Sequence, residues 1–364
     1  MNFTSYVNGY GTRTGKRHEQ LVDKIALAVQ SETPFQDSIG RGDSSASSEF
    51  RWVEEALTLA QTNAQVDGAD LADLAAGLRG NPALTSRTGY SQILSRGYIV
   101  ADSYRNEDKA SYRSKDELTE QEYNQMIAIK TDLENHLLSD QAAAAGAGST
   151  VFDDPDGSGA VARQLTGAYA QVAGADANGQ QSSTKYNTST PNATGGTGRT
   201  IGEGSRRVID TIAGVLYENG GLSYNMGNAH VSDANMIIMN PQNKIRFDRV
   251  LDAVNNTRRE LGADGTRLGV RFTSYKSTFG DFEVFPDKYN PSDEVLIYNP
   301  QNWALQVHTN WYVKEIAPTG LAEKRQIAGE FGLMHRNQFV SGRLAEIATT
   351  GTAMSATEGD GAVI

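Results

Sequence analysis

The chain has 364 residues, with 33 Lys plus Arg against 44 Asp plus Glu for a net charge of −11; 38% are hydrophobic, 37 are Gly, 9 are Pro and none is Cys. Without Cys, disulfides, thiol nucleophiles and thiolate metal sites are excluded, so stability must come from packing, hydrogen bonds and neighbours. The low apolar fraction and abundant Gly predict much loop and extended arm and argue against a compact single-core enzyme, while the acidic balance argues against a surface built to grip phosphates. No stretch approaches ~18 uninterrupted apolar residues, and Met1–Ser5 opens no basic-then-apolar leader, so a soluble, unexported product with no membrane partner is expected.

The N-terminal residues are polar and Gly-rich until Leu21, Val22, Ile25, Leu27, Ala28 and Val29 recur at helical spacing within Glu19 to Gln30. Pro34 breaks that pattern by disfavouring the helical conformation at Thr33, and Gly40 to Ser45 continues as loop. From Phe50 to Tyr104 the chain reads as a long protrusion with strand-like flanks, Phe50-Arg51-Trp52-Val53 on one side and Tyr90 to Val100 on the other. Asp116 to Ser139 is the clearest helix, with Asp116 or Ser114 as cap, Glu117, Glu120 and Glu122 near its positive end, and an apolar stripe of Leu118, Met126, Ile129, Leu133 and Leu137. At about 1.5 Å per residue it is a rod suited to a spine.

The tract 145–200 is dominated by Gly, Ser, Thr, Asn and Gln, a composition that buries too little apolar surface to offset the entropy of ordering. It is expected to be ordered only by assembly. From Glu203 the pattern becomes regular: a helix through Val208, Ile212, Val215 and Leu216, a buried strand Asn235–Met239, and a helix opened by Asn240-Pro241. Val270–Tyr275 and Phe282–Phe285 flank Gly280-Asp281 as a hairpin, Val295–Tyr298 is a strand, and Arg325–Arg336 is extended.

Chemistry-bearing motifs are weak. There is no G-x-S-x-G, and the five His have neither H-E-x-x-H nor ligand spacing. Gly11 to Arg17 has its glycines one residue too close for a phosphate loop, and Gly196 to Gly202 follows a polar tract where a dinucleotide turn needs a strand. Asp154-Pro155-Asp156-Gly157-Ser158-Gly159 places oxygens as a calcium loop does, but Leu165 stands where the bidentate Glu is needed. No catalytic, cofactor or metal residues are therefore assigned. The rival reading is a metal-dependent hydrolase or binding protein using the acidic turn at 153–158.

Two stretches carry a resemblance. Thr33-Pro34-Phe35-Gln36-Asp37-Ser38-Ile39-Gly40 is similar to a signature closing the N-terminal arm in one group of tailed-phage major capsid proteins. Phe279 to Asp287, Val295 to Tyr298, Gly320 to Leu333, Asn337, and Met239-Asn240-Pro241 opening a helix resemble the C-terminal half of the same proteins in order and spacing. The resemblance implies an α+β chain with the Hong Kong 97-type phage capsid fold. It divides the chain into an N-terminal arm 1–50, an E-loop 51–104, a P-domain piece 105–144 with the spine helix, an A-domain 145–265 including the insertion 145–200, a P-domain hairpin 266–290, a further A-domain piece 291–320, and a P-domain strand and tail 321–364.

By the same resemblance the chain is a structural protein, not an enzyme. It self-assembles into hexamers and pentamers of an icosahedral head enclosing double-stranded DNA, within the virion and built in the host bacterial cytoplasm. Partners implied are further copies of the chain, a separately encoded scaffolding protein, a portal, packaged DNA on the inner face, and room for a decoration protein. Inter-subunit contacts are expected from Leu21 and Ile25 on the arm helix, from Phe35 just past its break, and from Trp52, Arg79, Arg87 and Arg96 on the protrusion. The arm helix is expected to dock on another subunit or under the spine helix, since about twelve residues are marginal as a helix alone.

Overall fold

The computed structural model describes residues 32–42, 44–56, 64, 67–68, 83–102, 117–144, 162–172, 185–187, 199–218, 235–254, 274–318, 320–337 and 340–355. The arm helix with Leu21 and Ile25, Arg79 and the acidic turn at 153–158 lie outside them. Two compact units are present: one includes Ser95–Ile129 and Tyr312–Ala328, the other Glu32–Leu94, Lys130–Trp311 and Gly329–Ile364.

The larger unit is built on a six-stranded sheet in the order β5-β12-β9-β6-β8-β7. Its strands are β5 (Lys185–Asn187), β6 (Asn235–Met239), β7 (Ser274–Ser277), β8 (Gly280–Pro286), β9 (Val295–Tyr298) and β12 (Gly342–Ala345). The central strand β6 pairs parallel with β8 and antiparallel with β9, placing Ile237 between Val284 and Ile297. Alternation sorts the side chains. Ile237, Met239, Phe282, Val284, Val295, Ile297 and Leu344 share a core with Val208, Ile209, Ile212 and Leu216 of the helix Glu203–Glu218 and with Phe247 and Leu251 of the helix Pro241–Val254. Leu296 and Tyr298 point the other way and are also fully buried, so β9 reads Val-Leu-Ile-Tyr with no polar face.

A second sheet has the order β1-β10-β11-β4, from β1 (Gly40–Arg41), β4 (Gln92–Ala101), β10 (Trp303–Ile316) and β11 (Ala322–His335). The hairpin within 266–290 shares a sheet with β6, because β8 is the parallel partner of that strand. Strand β10, within the segment 291–320, pairs with β1 and β11. A two-stranded sheet, β2 (Glu49–Ala56) with β3 (Ala83–Tyr90), stands by itself.

Within the smaller unit, β4 alternates from Tyr98 and Val100 inside to Ile99 outside, and Leu118 and Ile129 are buried on the long helix Glu117–Leu137. The Tyr98 hydroxyl donates to Glu122 at 2.9 Å, and burial with that carboxylate pushes its pKa up to about 12. Arg325 gathers Glu122, Glu315 and Glu323 within 3.5 Å.

The tract 145–200 departs from its expectation in one place. Residues 162–172 are seated inside the larger unit of this chain, with Leu165, Ala168, Tyr169 and Val172 fully buried. The polar majority of the tract hides this apolar run, which makes its own core contacts without a neighbour.

Candidate assembly surfaces

The β2–β3 hairpin pairs without a break from Glu49↔Tyr90 to Ala56↔Ala83. Period-two alternation gives it two unlike faces. One carries Phe50, Trp52, Glu54, Thr85, Arg87 and Gly89. Phe50 and Trp52 stack at 5.8 Å, and Arg87 Nε donates to Glu54 at 3.3 Å. Arg87, expected to reach carboxylates across an interface, is thus engaged within its own hairpin. The opposite face presents Val53 at 60% and Leu84 at 69% exposure, two large apolar side chains left open among the described residues.

Where the hairpin meets the second sheet, small residues make room for its base. A Cβ on Gly332 would stand 2.6 Å from the Phe50 ring, so glycine lets that ring lie against β11. Glu330, two residues nearer the start of β11 and so on the same face, collects three segments. Ser91, between β3 and β4, donates to it at 2.5 Å, Arg163 pairs with it at 2.7 Å, and His308 on β10 lies 3.8 Å away. Ser91 also donates through its backbone N–H to Ser48 O at 2.8 Å, closing the hairpin at its root. Arg96 is half-exposed on β4, outside the hairpin.

Phe35 corrects a further expectation. Pro34 stands at the start of a short helix, α1 (Pro34–Ser38), where its missing N–H costs nothing. Phe35 is fully buried, edge-on to Tyr298 at 5.3 Å and to Trp303 at 5.8 Å. The N–H groups of Phe35 and Gln36 donate to the two oxygens of Glu134, at 2.7 and 3.0 Å. The ring is spent inside its own chain and has no surface left for a neighbour. Phe35→Ala should therefore lower the stability of the isolated chain by about 3–5 kcal/mol, the usual cost of emptying a fully buried aromatic site, as read by denaturant unfolding.

Arg343 on β12 is the second junction. It grips both oxygens of Glu294 at 2.5 and 2.6 Å, reaches Asp140 past the end of the long helix at 3.0 Å, donates to Tyr169 O at 2.8 Å, and lies over the Tyr169 ring at 5.5 Å. It thereby fixes residues 168–171 against the six-stranded sheet. Sequence reasoning passed over Glu134, Glu330 and Arg343. For Glu330 and Arg343 the available signal was a single charge in a run with no other charge, as in Ile327-Ala328-Gly329-Glu330-Phe331 and Val340-Ser341-Gly342-Arg343-Leu344; Glu134, among Asp132, Asn135 and His136, carried no such signal.

Among the described residues no group of three or more His, Asp or Glu is placed to hold a metal ion, and no helix is long and apolar enough to cross a membrane. Ser341 and His335 do meet, at 2.9 Å, but both are buried beside Trp303, whose indole N–H also donates to Ser341. Burial drives the His335 pKa down to about 3, leaving a neutral ring stacked on Trp303 at 3.9 Å with no opening for a substrate.

Comparisons with known proteins agree with one another. The profile of the family described as SU10 major capsid protein matches residues 3–348. The major capsid protein of Escherichia phage Phieco32 is 24% identical over 338 residues, 88% of this chain and 91% of that relative. Among solved structures, a chain of the cyanophage A-1(L) capsid asymmetric unit superposes with a TM-score of 0.61 at 12% identity, covering 93% of this chain and 99% of that one. The capsid chain of a native GTA particle gives 0.55 at 13% identity, covering 92% and 97%.

Proposed function

We infer that this chain, which belongs to the SU10 major capsid protein family, builds a phage head by closing hexamers and pentamers of itself into an icosahedral shell around double-stranded DNA. It is a phage major capsid protein with the Hong Kong 97-type fold, a structural protein of the virion. The observation that carries the reading is the extent of the match: profile and fold agree along nearly the whole chain. A closed symmetric shell also explains arms of low apolar content, since each can bury on a neighbour what it cannot bury alone.

The finer parts of the reading are these. The β2–β3 hairpin is the E-loop, narrower than residues 51–104 because β4 belongs to the four-stranded sheet. Its outer face, with Val53 and Leu84, and its half-buried Trp52 meet a neighbouring copy, as do Arg79, Arg96 and the arm residues Leu21 and Ile25. Assembly takes place in the host bacterial cytoplasm with a separate scaffolding protein and a portal, and a decoration protein has room on the outside. The net charge of −11 keeps contact with packaged DNA weak and local on the inner face.

Electron microscopy of the purified chain tests the reading directly, since shells or capsomers are expected and discrete monomers at all concentrations would overturn it. Ile25→Asp should abolish closed shells while leaving the unfolding midpoint of the dissociated chain unchanged. Normal shells from that variant would remove the arm helix from the interface.

A further inference from the structure

We propose that His308 is a proton-operated pin between the arm and the root of the β2–β3 hairpin, holding both more tightly while its ring is protonated and releasing them as the proton is lost. All the groups involved belong to the larger unit. From β10 the ring meets two other segments. Its Nδ1 stands 2.8 Å from Ser45 O, on the stretch between β1 and β2, and its Nε2 stands 3.8 Å from Glu330 Oε2 on β11. The other oxygen of Glu330 accepts from Ser91 and pairs with Arg163, and Ser91 in turn closes the hairpin on Ser48.

A carbonyl oxygen only accepts, so Nδ1 carries a hydrogen in either charge state of the ring. In the neutral ring that assignment leaves the Nε2 lone pair facing a carboxylate oxygen, acceptor against acceptor. A proton on Nε2 turns the same geometry into a cation facing a carboxylate, and it strengthens the Nδ1 bond to Ser45 by adding charge to the donor. One protonation thus grips the arm at Ser45 and the hairpin root through Glu330. The His308 side chain is 26% exposed and that of Glu330 is 11%, so the ring reaches solvent protons in the folded chain while its partner is largely withdrawn from screening.

Among the described residues, the charged groups gathered at the ring are Glu330 from β11 and Arg163 from the run 162–172. Arg163 is bound to Glu330 Oε1 at 2.7 Å, which leaves Oε2 as the oxygen nearest the ring. The arm supplies the Ser45 carbonyl and the turn before β4 the Ser91 hydroxyl, neither of which changes charge. On β10 itself Gln306 and Asn310 share the face of the ring and are neutral. Arg41 of β1 is paired with Leu305 and so shares the other face of the sheet. Glu49 and Arg51, at the start of β2, are exposed and paired with each other. The ion pair exists only with the protonated ring, so the pin is tight in acid and slackens as pH rises through the range of about 5 to 8 in which imidazoles ordinarily lose their charge.

The test follows amide hydrogen exchange at Ser45 and Ser91 in the dissociated full-length chain between about pH 5 and pH 8, corrected for the intrinsic rate. These two amides donate to Val307 O and Ser48 O, and so report the arm and the hairpin root separately. The measurement does not depend on shell formation. Protection in the unsubstituted chain is expected to fall by about two- to fivefold across that range, the change that an incompletely buried ion pair produces. His308→Asn, whose side-chain amide still donates to Ser45 but takes up no proton, is expected to be flat. A flat profile in the unsubstituted chain, or the same fall in His308→Asn, would overturn the pin. Should that variant fold poorly, nitrogen-15 NMR of the unsubstituted chain labelled at histidine decides. At the alkaline end His308 is expected as the Nδ1–H tautomer, and the Nε2–H tautomer there would refute the proposal.

Discussion

Replacing Arg51–Thr88 by a two-residue Asn-Gly turn is expected to leave a folded, soluble chain that forms no closed shells. The cut is placed by the register. Phe50 and Gly89 are directly opposed, so a tight turn can join them, and Phe50 keeps its place against Gly332. The root remains closed by Ser48 and Ser91, and Ser91 keeps Glu330. What is lost is the outer strip of Val53 and Leu84 together with Trp52 and Arg79. A cut reaching residue 95 would not be a clean test, because it would remove the start of β4 from its sheet. Val53→Asp with Leu84→Asp should reproduce most of the effect without shortening the chain, since a charge on each apolar side chain blocks burial worth about 1.5–3 kcal/mol apiece at every copy of the interface. Sedimentation and electron microscopy read the outcome; wild-type shells from the shortened chain would remove the hairpin from assembly.

The regular elements were legible because their periodicity is local. The long helix was expected over Asp116–Ser139 and is found at Glu117–Leu137, with Leu118, Ile129, Leu133 and Leu137 buried as the spacing requires. The strands at 235–239 and 295–298 fall where unbroken apolar runs placed them. Two elements were hidden for opposite reasons. The helix at Pro34–Ser38 is short and its capping carboxylate lies 98 and 99 residues away on Glu134, so nothing nearby in sequence announces it. Strand β10 starts buried at Trp303–Leu305 and ends exposed, so its burial follows no two-residue period that a sequence scan would catch.

The junctions were hidden for a more general reason. Glu134, Glu330 and Arg343 each join segments remote in sequence; for Glu330 and Arg343 a lone charge marks a partner without naming it, and for Glu134 not even that signal is present. The pairing of Arg343 with Glu294 spans 49 residues and that with Asp140 spans 203. Likewise the apolar run at 162–172 was masked by a polar tract, because composition averages over residues and packing does not.

Removing Arg343 should destabilise the isolated chain about as much as emptying the Phe35 site. Its side chain is 4% exposed and that of Glu294 is 7%, so Arg343→Ala leaves a buried carboxylate with its bidentate partner gone, a change that typically costs about 3–5 kcal/mol. Burial already raises the Glu294 pKa, and Arg343 is the group that opposes the rise. Without it the folded pKa climbs further above the unfolded value, so the loss is smallest in acid and grows as pH rises through the carboxylate range. Glu294→Gln in the same background removes the stranded charge and should return a large part of the stability while flattening that pH dependence. The Asp140 contact, with its carboxylate 60% exposed, adds little by comparison. Chemical denaturation of the four chains of the double-mutant cycle at pH 5 and pH 8 measures the coupling. A cycle that closes additively at both values would mean that Arg343 holds residues 168–171 through Tyr169 alone, and that Glu294 is a bystander.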